Sequence, residues 1–364
     1  MRILFVAPLP PPLTGQSIAC EALLLELRKR HTIEIINFNK GTLRQGISSF
    51  ARIIEVVMIL CSIFRRSSNV DVIYLTISQS VSGNIKDILT YLICFKKLGA
   101  MVIHLHGGGI RKIIFDKHPF LRIINKFFLR RVGAIVVLSK SLISAFDKMV
   151  PVEKIHTVSN FAEDSLFLTT NEIREKFANL RRLRILFLSN LIPGKGFEEL
   201  AEAYNLLNPS LQEKVQIDFA GDFESEQQRE KFLDTIKNTQ GLRYHGVVQG
   251  TAKRQLLADA CVLCLPTYYY YEGQPIAILE AYAAGCVVIT TNHGGINDIF
   301  EPGRTGFYVE KRSPKSICNV IKSILTKMPQ LEQIALYNST LAKNLYTKSQ
   351  YLSSLVNIIE QRQE

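Results

Sequence analysis

The sequence lacks an apolar run long enough to cross a membrane, and its start lacks the pattern of a secretory signal. A membrane-spanning helix needs roughly 20 consecutive apolar residues, whereas the longest candidate, residues 53–64, is shorter and includes Glu55. The opening apolar run, residues 1–6, contains an arginine and is followed by Pro8 and by three prolines at 10–12, which does not suit a signal peptide. We therefore expect a cytoplasmic protein.

Other classes of protein are excluded by what is scarce or unpatterned. The 21 glycines and 13 prolines among 364 residues follow no period, which excludes collagen-like and low-complexity chains. An apolar content of 47% excludes intrinsic disorder. Seven cysteines, an odd number without a signal sequence, indicate reduced thiols. At this length we expect two domains, each with its own core.

Positive charge is concentrated in the first half of the chain. Residues 1–180 contain 24 Lys and Arg against 13 Asp and Glu, a surplus of 11, whereas residues 181–364 contain 20 against 19, a surplus of 1. This asymmetry indicates that one domain faces a polyanion or an anionic membrane. Nucleic acid is not expected as a partner, because no zinc-finger spacing or RNA-binding signature accompanies the charge.

Two predicted helices in the basic half favour the membrane. Residues 120–131 place Arg122, Lys126 and Arg130 on one stripe, with apolar residues around the remainder, as in a helix at a membrane interface. Residues 52–66 are apolar nearly all round and end in two arginines. The alternative is that both helices are packed in the core, the first with a solvated cationic face.

Short β-branched runs alternate with helical patterns, which is typical of parallel sheets built from βαβ units. Strands are predicted at 2–7, 32–37, 70–76, 101–105, 134–138, 155–158, 184–189, 215–220, near 244, and at 262–266, 287–291 and 306–309. The pattern predicts an α/β fold of two doubly wound, Rossmann-like domains facing a central cleft. We predict an N-terminal domain at 1–172, a linker at 173–183, a C-terminal domain at 184–345, and a C-terminal helix at 346–364 that packs back toward the N-terminal domain.

Residues 272–285 are the most informative segment. They predict a helix that starts around Pro275 and ends at a glycine. Backbone N–H groups at a helix start lack helical partners and bind hydroxyl or phosphate oxygens. Here these groups belong to Gly273, Gln274 and Ile276. The segment therefore predicts a substrate-binding helix N-terminus.

Two carboxylates accompany this helix start. Glu272 lies in the preceding loop, and Glu280 lies five residues past Pro275, about 7.5 Å along the helix axis. A carboxylate accepts two hydrogen bonds from a vicinal diol, so the pair suits two hydroxyl-bearing rings joined by a diphosphate. Glu280 needs a partner if it is buried in its apolar helix, whereas Glu272 has an alternative role as a favourable charge near a helix N-terminus.

A second motif, residues 184–196, predicts a strand, a glycine-containing turn and a helix start. It brings Lys195, Gly196 and several amides to a place where a diphosphate can bind. The motif is not a Walker loop and does not match Gly-x-Gly-x-x-Gly, so it gives little support to dinucleotide binding. An ordinary surface turn is the alternative.

The first half offers a further pair of candidate positions. Gly15 and Gln16 lie in the loop after the first strand, where backbone can approach a ligand closely. His104 and His106 share one face of a strand, and His106 is the site candidate because open α/β sheets bind ligands at the carboxyl ends of their strands. His104 is expected to be a hydrogen-bonded core residue. No third ligand has a convincing spacing, so no metal site is expected.

Together these motifs resemble the family 4 retaining glycosyltransferases of the GT-B fold. The resemblance rests on Glu272 and Glu280, separated by seven residues, and on Lys195-Gly196. Supporting segments follow in order along the second half at 220–222, 245–246, 258–260, 265–267, 294–298 and 303–306. The first half agrees more loosely, at residues 15, 106, 139 and 160.

The resemblance implies roles for the candidate residues. Lys195 would bind the diphosphate of a nucleotide sugar, Glu280 the ribose hydroxyls and Glu272 the donor hexose. Backbone amides of Gly273 and Gln274 would assist Glu272. These roles make the second half the nucleotide-sugar-binding domain and the first half the acceptor-side domain.

The first domain would contribute the Gly15 backbone and His106 to binding of the donor. The sequence departs from the family pattern at two places. Asn190 occupies a position that is commonly arginine, so one phosphate cation is missing or is supplied from elsewhere, and the first-domain loop has the single Gly15 where a pair of glycines is frequent. Gln274-Pro275 in place of a Phe-Gly pair is a familiar variation that would alter the sugar pocket.

The implied activity is transfer of a hexose from a nucleotide diphosphate sugar, with a UDP-sugar favoured, to a glycan acceptor, with retention of configuration and no metal cofactor. A lipid-linked acceptor would place the basic domain on the cytoplasmic face of the plasma membrane, in assembly of surface polysaccharide such as capsule or lipopolysaccharide. Two alternatives stay open. One is a sugar-nucleotide epimerase of the same fold, and the other is a non-catalytic nucleotide-sugar-binding subunit, for which Asn190 is the supporting feature.

Overall fold

The computed structural model describes residues 1–38 and 49–362. The chain divides into two compact units. Unit 1 consists of Met1–Asn160, Tyr271–Gln274 and Ser349–Glu364, and unit 2 of Phe161–Tyr270 and Pro275–Lys348. Each unit has its own hydrophobic core.

Unit 1 contains a parallel sheet of six strands in the order β2-β1-β3-β4-β5-β6. The strands are β1 Arg2–Ala7, β2 Thr32–Asn37, β3 Val72–Thr76, β4 Met101–Leu105, β5 Ala134–Val137 and β6 Ile155–Thr157. The helices are α1 Gly15–Leu27, α2 Ser49–Arg66, α3 Val81–Ile93, α4 Pro119–Leu129 and the last helix of the chain, α13 Lys348–Glu360. Strands β3, β4 and β5 are buried along their whole length, as expected for a parallel sheet covered on both faces.

Unit 2 contains a second parallel sheet of six strands, in the order β12-β11-β10-β7-β8-β9. The strands are β7 Leu183–Leu188, β8 Val215–Ala220, β9 Leu242–Tyr244, β10 Val262–Leu265, β11 Val287–Thr290 and β12 Gly306–Tyr308. The helices are α5 Thr170–Ala178, α6 Phe197–Asn205, α7 Pro209–Gln212, α8 Glu226–Ile236, α9 Gly250–Asp259, α10 Ile276–Ala283, α11 Pro314–Thr326 and α12 Met328–Leu345.

Each predicted strand coincides with an observed one to within two residues, which confirms the α/β class and the parallel sheets. The strand order reverses between β1 and β3 in unit 1 and between β7 and β10 in unit 2. Loops at the carboxyl ends of strands beside such a switch point diverge and leave a crevice where open α/β sheets bind ligands. A ligand site is therefore expected at the loops after β1, β7 and β10.

The division between the units differs from the boundaries predicted from sequence. It falls after Asn160, not after residue 172, and most of the predicted linker 173–183 belongs to α5 of unit 2. A capping box starts this helix, with the Glu172 amide donating to Thr169 Oγ1 over 3.2 Å and the Thr169 amide donating to the Glu172 carboxylate over 2.7 Å. A polar composition alone does not distinguish a linker from such a surface helix.

The start of α6 is fixed by aromatic packing. Phe197, its first residue, is 1% exposed and makes edge-to-face contacts with Phe223 and Phe232 at centroid distances of 5.8 and 5.2 Å. This anchor holds the turn that precedes α6 against the carboxyl end of the sheet. In the described residues, no helix combines the length and apolar character needed to cross a membrane.

Candidate functional site

Lys195 lies in the turn between β7 and α6, beside the switch point of unit 2. Its neighbours Gly194 and Gly196 have φ angles of 91° and 88°, a left-handed conformation that favours glycine. A Cβ atom at residue 196 would lie 2.6 Å from the carbonyl oxygen of Pro266, so the turn packs directly against the loop after β10. The sequence-predicted turn therefore lies where a sheet of this topology binds ligands.

The loop after β10 orients the Lys195 side chain. The Tyr268 amide donates a 2.7 Å hydrogen bond to the carbonyl of Gly194, which joins the two loops. Lys195 Nζ lies 4.9 Å from the centroid of the Tyr269 ring, a cation–π contact. His293 Nε2 lies 2.8 Å from the carbonyl oxygen of Tyr269. The Lys195 ammonium group is thus positioned by the Tyr269 ring, and the Tyr269 backbone is held in place by His293.

Glu280 is buried inside α10, which starts directly after Pro275 as predicted. It is 2% exposed, and its Oε1 accepts a hydrogen bond from Lys253 Nζ of α9. Burial raises the pKa of the Glu280 carboxyl, and the Lys253 ammonium acts in the opposite direction. The sequence indicated that Glu280 needs a partner, and within the protein that partner is Lys253.

Removing Lys253 should leave Glu280 as a buried charge without its cation. We expect Lys253→Met to lower the free energy of unfolding by about 3 kcal/mol at neutral pH. Because the Glu280 pKa is raised in the folded state, the cost should shrink as pH falls toward the usual carboxyl range, where the group is protonated. Urea unfolding at pH 5 and pH 8 measures the difference, and equal losses at the two values would contradict it.

Residues 272–274 belong to unit 1, where their backbone lies against the glycines that follow β4. A Cβ atom at Gly273 would lie 2.3 Å from the carbonyl oxygen of His106, and one at Gly108 would lie 2.5 Å from that of Glu272. No side chain fits at either position without backbone movement. This contact positions Glu272, which is 7% exposed.

The Gln274 side chain anchors the same segment. Its Oε1 accepts a 2.6 Å hydrogen bond from the backbone N–H of Asn160, and its Nε2 donates to the Leu138 carbonyl over 3.1 Å. Asn160 Nδ2 returns a 2.8 Å hydrogen bond to the Gln274 carbonyl. The side chain is therefore used within unit 1, and the predicted substrate contact at Gln274 is left to its backbone amide.

His106 follows β4 and stacks on His104, with ring centroids 3.9 Å apart. Its Nε2 lies 3.8 Å from Cys20 Sγ, and its buried Nδ1 has no hydrogen-bond partner in the described residues. His104 Nδ1 lies 2.7 Å from the Tyr74 hydroxyl, so His104 is a hydrogen-bonded core residue, as predicted. Burial lowers the pKa of His106 to about 3, so the ring is neutral near pH 7.

The two histidines should make folding stability depend on pH. Burial lowers the pKa of both rings below the ordinary value of 6.5, so the folded state binds fewer protons than the unfolded state. The contribution of His106 is complete above pH 6.5 and is lost as pH falls toward 3, and that of His104 is lost in the same direction. We expect His106→Gln to reduce the slope of unfolding free energy against pH in this window, measured by urea denaturation; an unchanged slope would contradict the shift.

Gly15 and Gln16 are the first residues of α1, at the carboxyl end of β1 beside the switch point of unit 1. A capping box joins Thr14 and Ser17: the Ser17 amide donates to Thr14 Oγ1 over 3.0 Å, and the Thr14 amide donates to Ser17 Oγ over 2.9 Å. The amides of Gly15 and Gln16 precede the first helical hydrogen bond. Gly15 is exposed, so its backbone is accessible to a ligand.

The structure gathers the predicted site residues into two groups. Those of unit 2 are Asn190, Lys195, Gly196, Pro275, Ile276 and Glu280. Those of unit 1 are Gly15, Gln16, His106, Glu272, Gly273 and Gln274. Asn190 is partly exposed in the segment that leads from β7 to the Lys195 turn.

Sequence reasoning missed the side chains that hold these residues. Lys253, Tyr269 and His293 contact site residues or the loops that carry them, but no local pattern distinguishes Lys253 or His293 from other lysines and histidines. The four-tyrosine run before Glu272 was the one available signal for Tyr269. Across residues 1–38 and 49–362, no group of three His, Cys, Asp or Glu side chains is arranged to hold a metal, and metal independence stays a prediction.

Each unit is Rossmann-like and has, beside its switch point, loops of the kind that bind ligands in open α/β sheets. Two such units in one chain are typical of the GT-B class of fold. The crystal structure of Anabaena Alr3699/HepE in complex with UDP-glucose matches with a TM-score of 0.75, covering 99% of this chain and 100% of that chain at 16% identity. This likeness confirms the predicted fold.

Residues 169–339 match the family model for Glycosyl transferases group 1. The uncharacterised glycosyltransferase MJ1069 of Methanocaldococcus jannaschii is 23% identical over 61% of this chain, which spans 58% of that relative's length. The putative teichuronic acid biosynthesis glycosyltransferase TuaC of Bacillus subtilis is 30% identical over 55% of this chain and 48% of its own length. Residues 169–339 therefore resemble a glycosyltransferase domain, in agreement with the predicted class of enzyme.

Proposed function

We propose that the protein is a retaining glycosyltransferase that moves a hexose from a UDP-sugar to a lipid-linked glycan in surface-polysaccharide assembly. The observation that carries the proposal is Lys195, held over Tyr269 at the switch point of unit 2 within the family domain. Breaking the anomeric bond loads negative charge onto a departing nucleoside diphosphate. An ammonium and helix N-termini placed beforehand stabilise that charge.

Different residues recognise the parts of the donor. Lys195 and Gly196 bind the phosphates, and Glu280 binds the ribose hydroxyls. Glu272, the Gly273 amide and His106 bind the hexose. A neutral His106 suits a hydrogen bond to a hydroxyl or phosphate oxygen but supplies no positive charge.

The base of the donor and the kind of product are proposed by comparison. HepE has been crystallised with UDP-glucose, and TuaC is named for teichuronic acid biosynthesis, which supports a UDP-sugar and a polysaccharide product. Thermal unfolding with UDP-, GDP- and ADP-sugars tests the base, because a bound ligand raises the apparent melting temperature by mass action. We expect UDP-sugars to raise the melting temperature. A rise only with a GDP- or ADP-sugar would contradict uracil as the base of the donor.

Product analysis tests the reaction itself. A transferase leaves the donor unchanged until an acceptor is supplied, whereas an epimerase converts the donor sugar alone. Nuclear magnetic resonance of the product anomeric centre tests retention. Binding of the donor without turnover on any acceptor would favour a non-catalytic subunit, for which Asn190 is the relevant feature.

We propose further that unit 1 docks on an anionic membrane through α2, α3 and α4. Helix α3 packs against both α2 and α4. Large apolar side chains on these helices are exposed: Met58 by 64%, Phe64 by 70%, Leu92 by 60%, Phe120 by 73% and Ile123 by 67%. Such exposure is unusual for a surface that faces only water.

Basic residues accompany this apolar face. Arg65 and Arg66 end α2, and Arg122, Lys126 and Arg130 lie on or just after α4. Apolar side chains flanked by cations suit the boundary between headgroups and acyl chains of an anionic bilayer. Placing unit 1 there would bring the acceptor-side domain to a lipid-linked acceptor and keep the enzyme peripheral to the membrane.

Vesicle flotation tests this docking. We expect binding to vesicles of phosphatidylcholine with phosphatidylglycerol, weaker binding to phosphatidylcholine alone, and loss of binding in Phe120→Ser/Ile123→Ser. A matched control is Leu206→Ser/Leu345→Ser, which changes exposed leucines of unit 2. Failure to bind both kinds of vesicle, or equal loss in the control, would remove the membrane proposal.

A further inference from the structure

A hollow lies in unit 2, at the opposite edge of the sheet from Lys195. Its volume is about 650 Å³, within the range of about 300–1,000 Å³ typical of small-molecule sites. Its lining includes Arg184 and Gln216, the second residues of β7 and β8. Because these strands are parallel, their amino ends share one edge, whereas Lys195 follows the carboxyl end of β7.

Arg184 is held in a fixed position in this hollow. Its Nη1 donates to Asp259 over 2.8 Å, and its Nη2 lies 3.5 Å from Asp218. Its Nε is buried and has no hydrogen-bond partner in the described residues. A buried N–H group without an acceptor is costly, and an anion bound in the hollow would supply one.

Three further arginines line the same hollow: Arg181, Arg182 and Arg243. All three are exposed. Among the residues that the structure describes, no acidic side chain forms an ion pair with any of them. Four guanidinium groups therefore surround one cavity, three of them without a carboxylate. Guanidinium presents paired N–H donors that match phosphate and carboxylate oxygens.

The acidic residues of the lining do not cancel this charge. Asp259 accepts from Arg184 and from Gln255. The Glu172 carboxylate accepts hydrogen bonds from the Thr169 amide at the start of α5 and, over 3.0 Å, from Arg254. Glu175 is the third acid of the lining. An additional anion, not a cation, is the ligand that this surplus of arginine favours.

We infer that the hollow is a second anion-binding site, distinct from the proposed donor site, for a ligand that carries two or more phosphate groups. The number of arginines favours more than one phosphate. The volume exceeds what inorganic phosphate needs, and Leu168, Leu180 and Ala258 in the lining give apolar contact for an organic group. The site goes beyond the proposed function, since it does not require sugar transfer.

Counting bound diphosphate by isothermal titration calorimetry tests the inference, with inorganic pyrophosphate as the probe. Wild-type protein should bind two equivalents, one at each site. Arg182→Ala/Arg243→Ala should lose one equivalent or weaken it by about tenfold or more, the scale expected for charge-assisted hydrogen bonds, and Lys195→Ala should lose the other. The arginine variant retaining both equivalents at wild-type affinity would overturn the second site.

A charge-matched control separates a built site from general attraction. Arg229→Ala/Arg304→Ala also removes two positive charges from unit 2, from exposed side chains paired with Glu226 and Glu301. This control should bind as wild type, and an equal loss would overturn the site. The proposed donor site and the second anion site can fail separately. Loss of one equivalent in Arg182→Ala/Arg243→Ala protein without any loss in Lys195→Ala protein would contradict the donor site and leave the second site standing.

Titration of UDP into Lys195→Ala protein separates two sources of the same chemistry. Tighter binding than pyrophosphate, abolished by the arginine changes, indicates a nucleotide in the hollow. Binding equal to or weaker than pyrophosphate, lost in the same variant, indicates recognition of the phosphates alone.

Discussion

Lys195→Ala protein should transfer sugar with a kcat/KM about 10²–10³ lower than wild type, the range found when one preorganised group that stabilises developing charge is removed. The ammonium lies over the Tyr269 ring at the carboxyl end of β7, where a departing diphosphate would gain its negative charge. The side chain is partly exposed, so its loss should change the free energy of unfolding by no more than about 0.5 kcal/mol. Initial rates and urea unfolding give the two quantities.

Two variants sharpen this experiment. Lys195→Arg keeps the positive charge and the cation–π contact, so it should recover part of the lost activity. Lys237→Ala removes an exposed lysine of the same unit that pairs with Asp234 and should be as active as wild type. Unchanged turnover in Lys195→Ala would remove the proposed diphosphate site, and equal loss in Lys237→Ala would show a general charge effect.

The strands were predictable because parallel strands buried on both faces read as short continuous apolar runs. Val72–Thr76 and Met101–Leu105 are buried at every residue, and their sequences show it directly. The turn at Lys195 was predictable for a related reason, since the left-handed angles of Gly194 and Gly196 require glycine. Local chemistry determines both features.

The boundaries between the units were not predictable, because they depend on contacts between residues far apart in sequence. Gln274 is anchored by Asn160, 114 residues earlier, and residues 271–274 belong to unit 1 within a stretch that otherwise belongs to unit 2. No pattern in residues 272–285 indicates the change. The tail of the chain also makes a distant contact, since Tyr351 donates to the Ala19 carbonyl, 332 residues away. Here the sequence did predict packing toward the N-terminal domain, and residues 349–364 belong to unit 1.

The residues of the candidate site were proposed from sequence, but their electrostatics were not predictable. A carboxylate in an apolar helix signals a buried charge, but only the fold shows that Lys253 of the preceding helix donates a hydrogen bond to Glu280. His106 was predicted to contact sugar and phosphate, and the structure shows that burial keeps it neutral. Burial is a property of the assembled core, so such pKa shifts do not follow from sequence spacing.

Gly273→Ala should reduce kcat/KM by about 10²-fold, because a displacement of about 1 Å at a reacting group costs this much. The new Cβ would lie 2.3 Å from the His106 carbonyl oxygen and 3.0 Å from Gly107 Cα. Both neighbours are backbone, so the segment that carries Glu272 must move away from the end of β4. Overpacking of this kind also lowers stability by about 1–3 kcal/mol, which thermal unfolding measures beside the rate.

Gly99→Ala is the matched control, since the same methyl group at residue 99 of unit 1 meets nothing within 4 Å. It should fold and react as wild type. A third variant, Gln274→Ala, removes the anchor to Asn160 and Leu138 without adding bulk; it should lower activity in the same direction because Glu272 again loses its position. Full activity in Gly273→Ala protein would mean that the position of Glu272 against β4 does not matter to catalysis, and the hexose-binding role proposed for Glu272 would then be withdrawn.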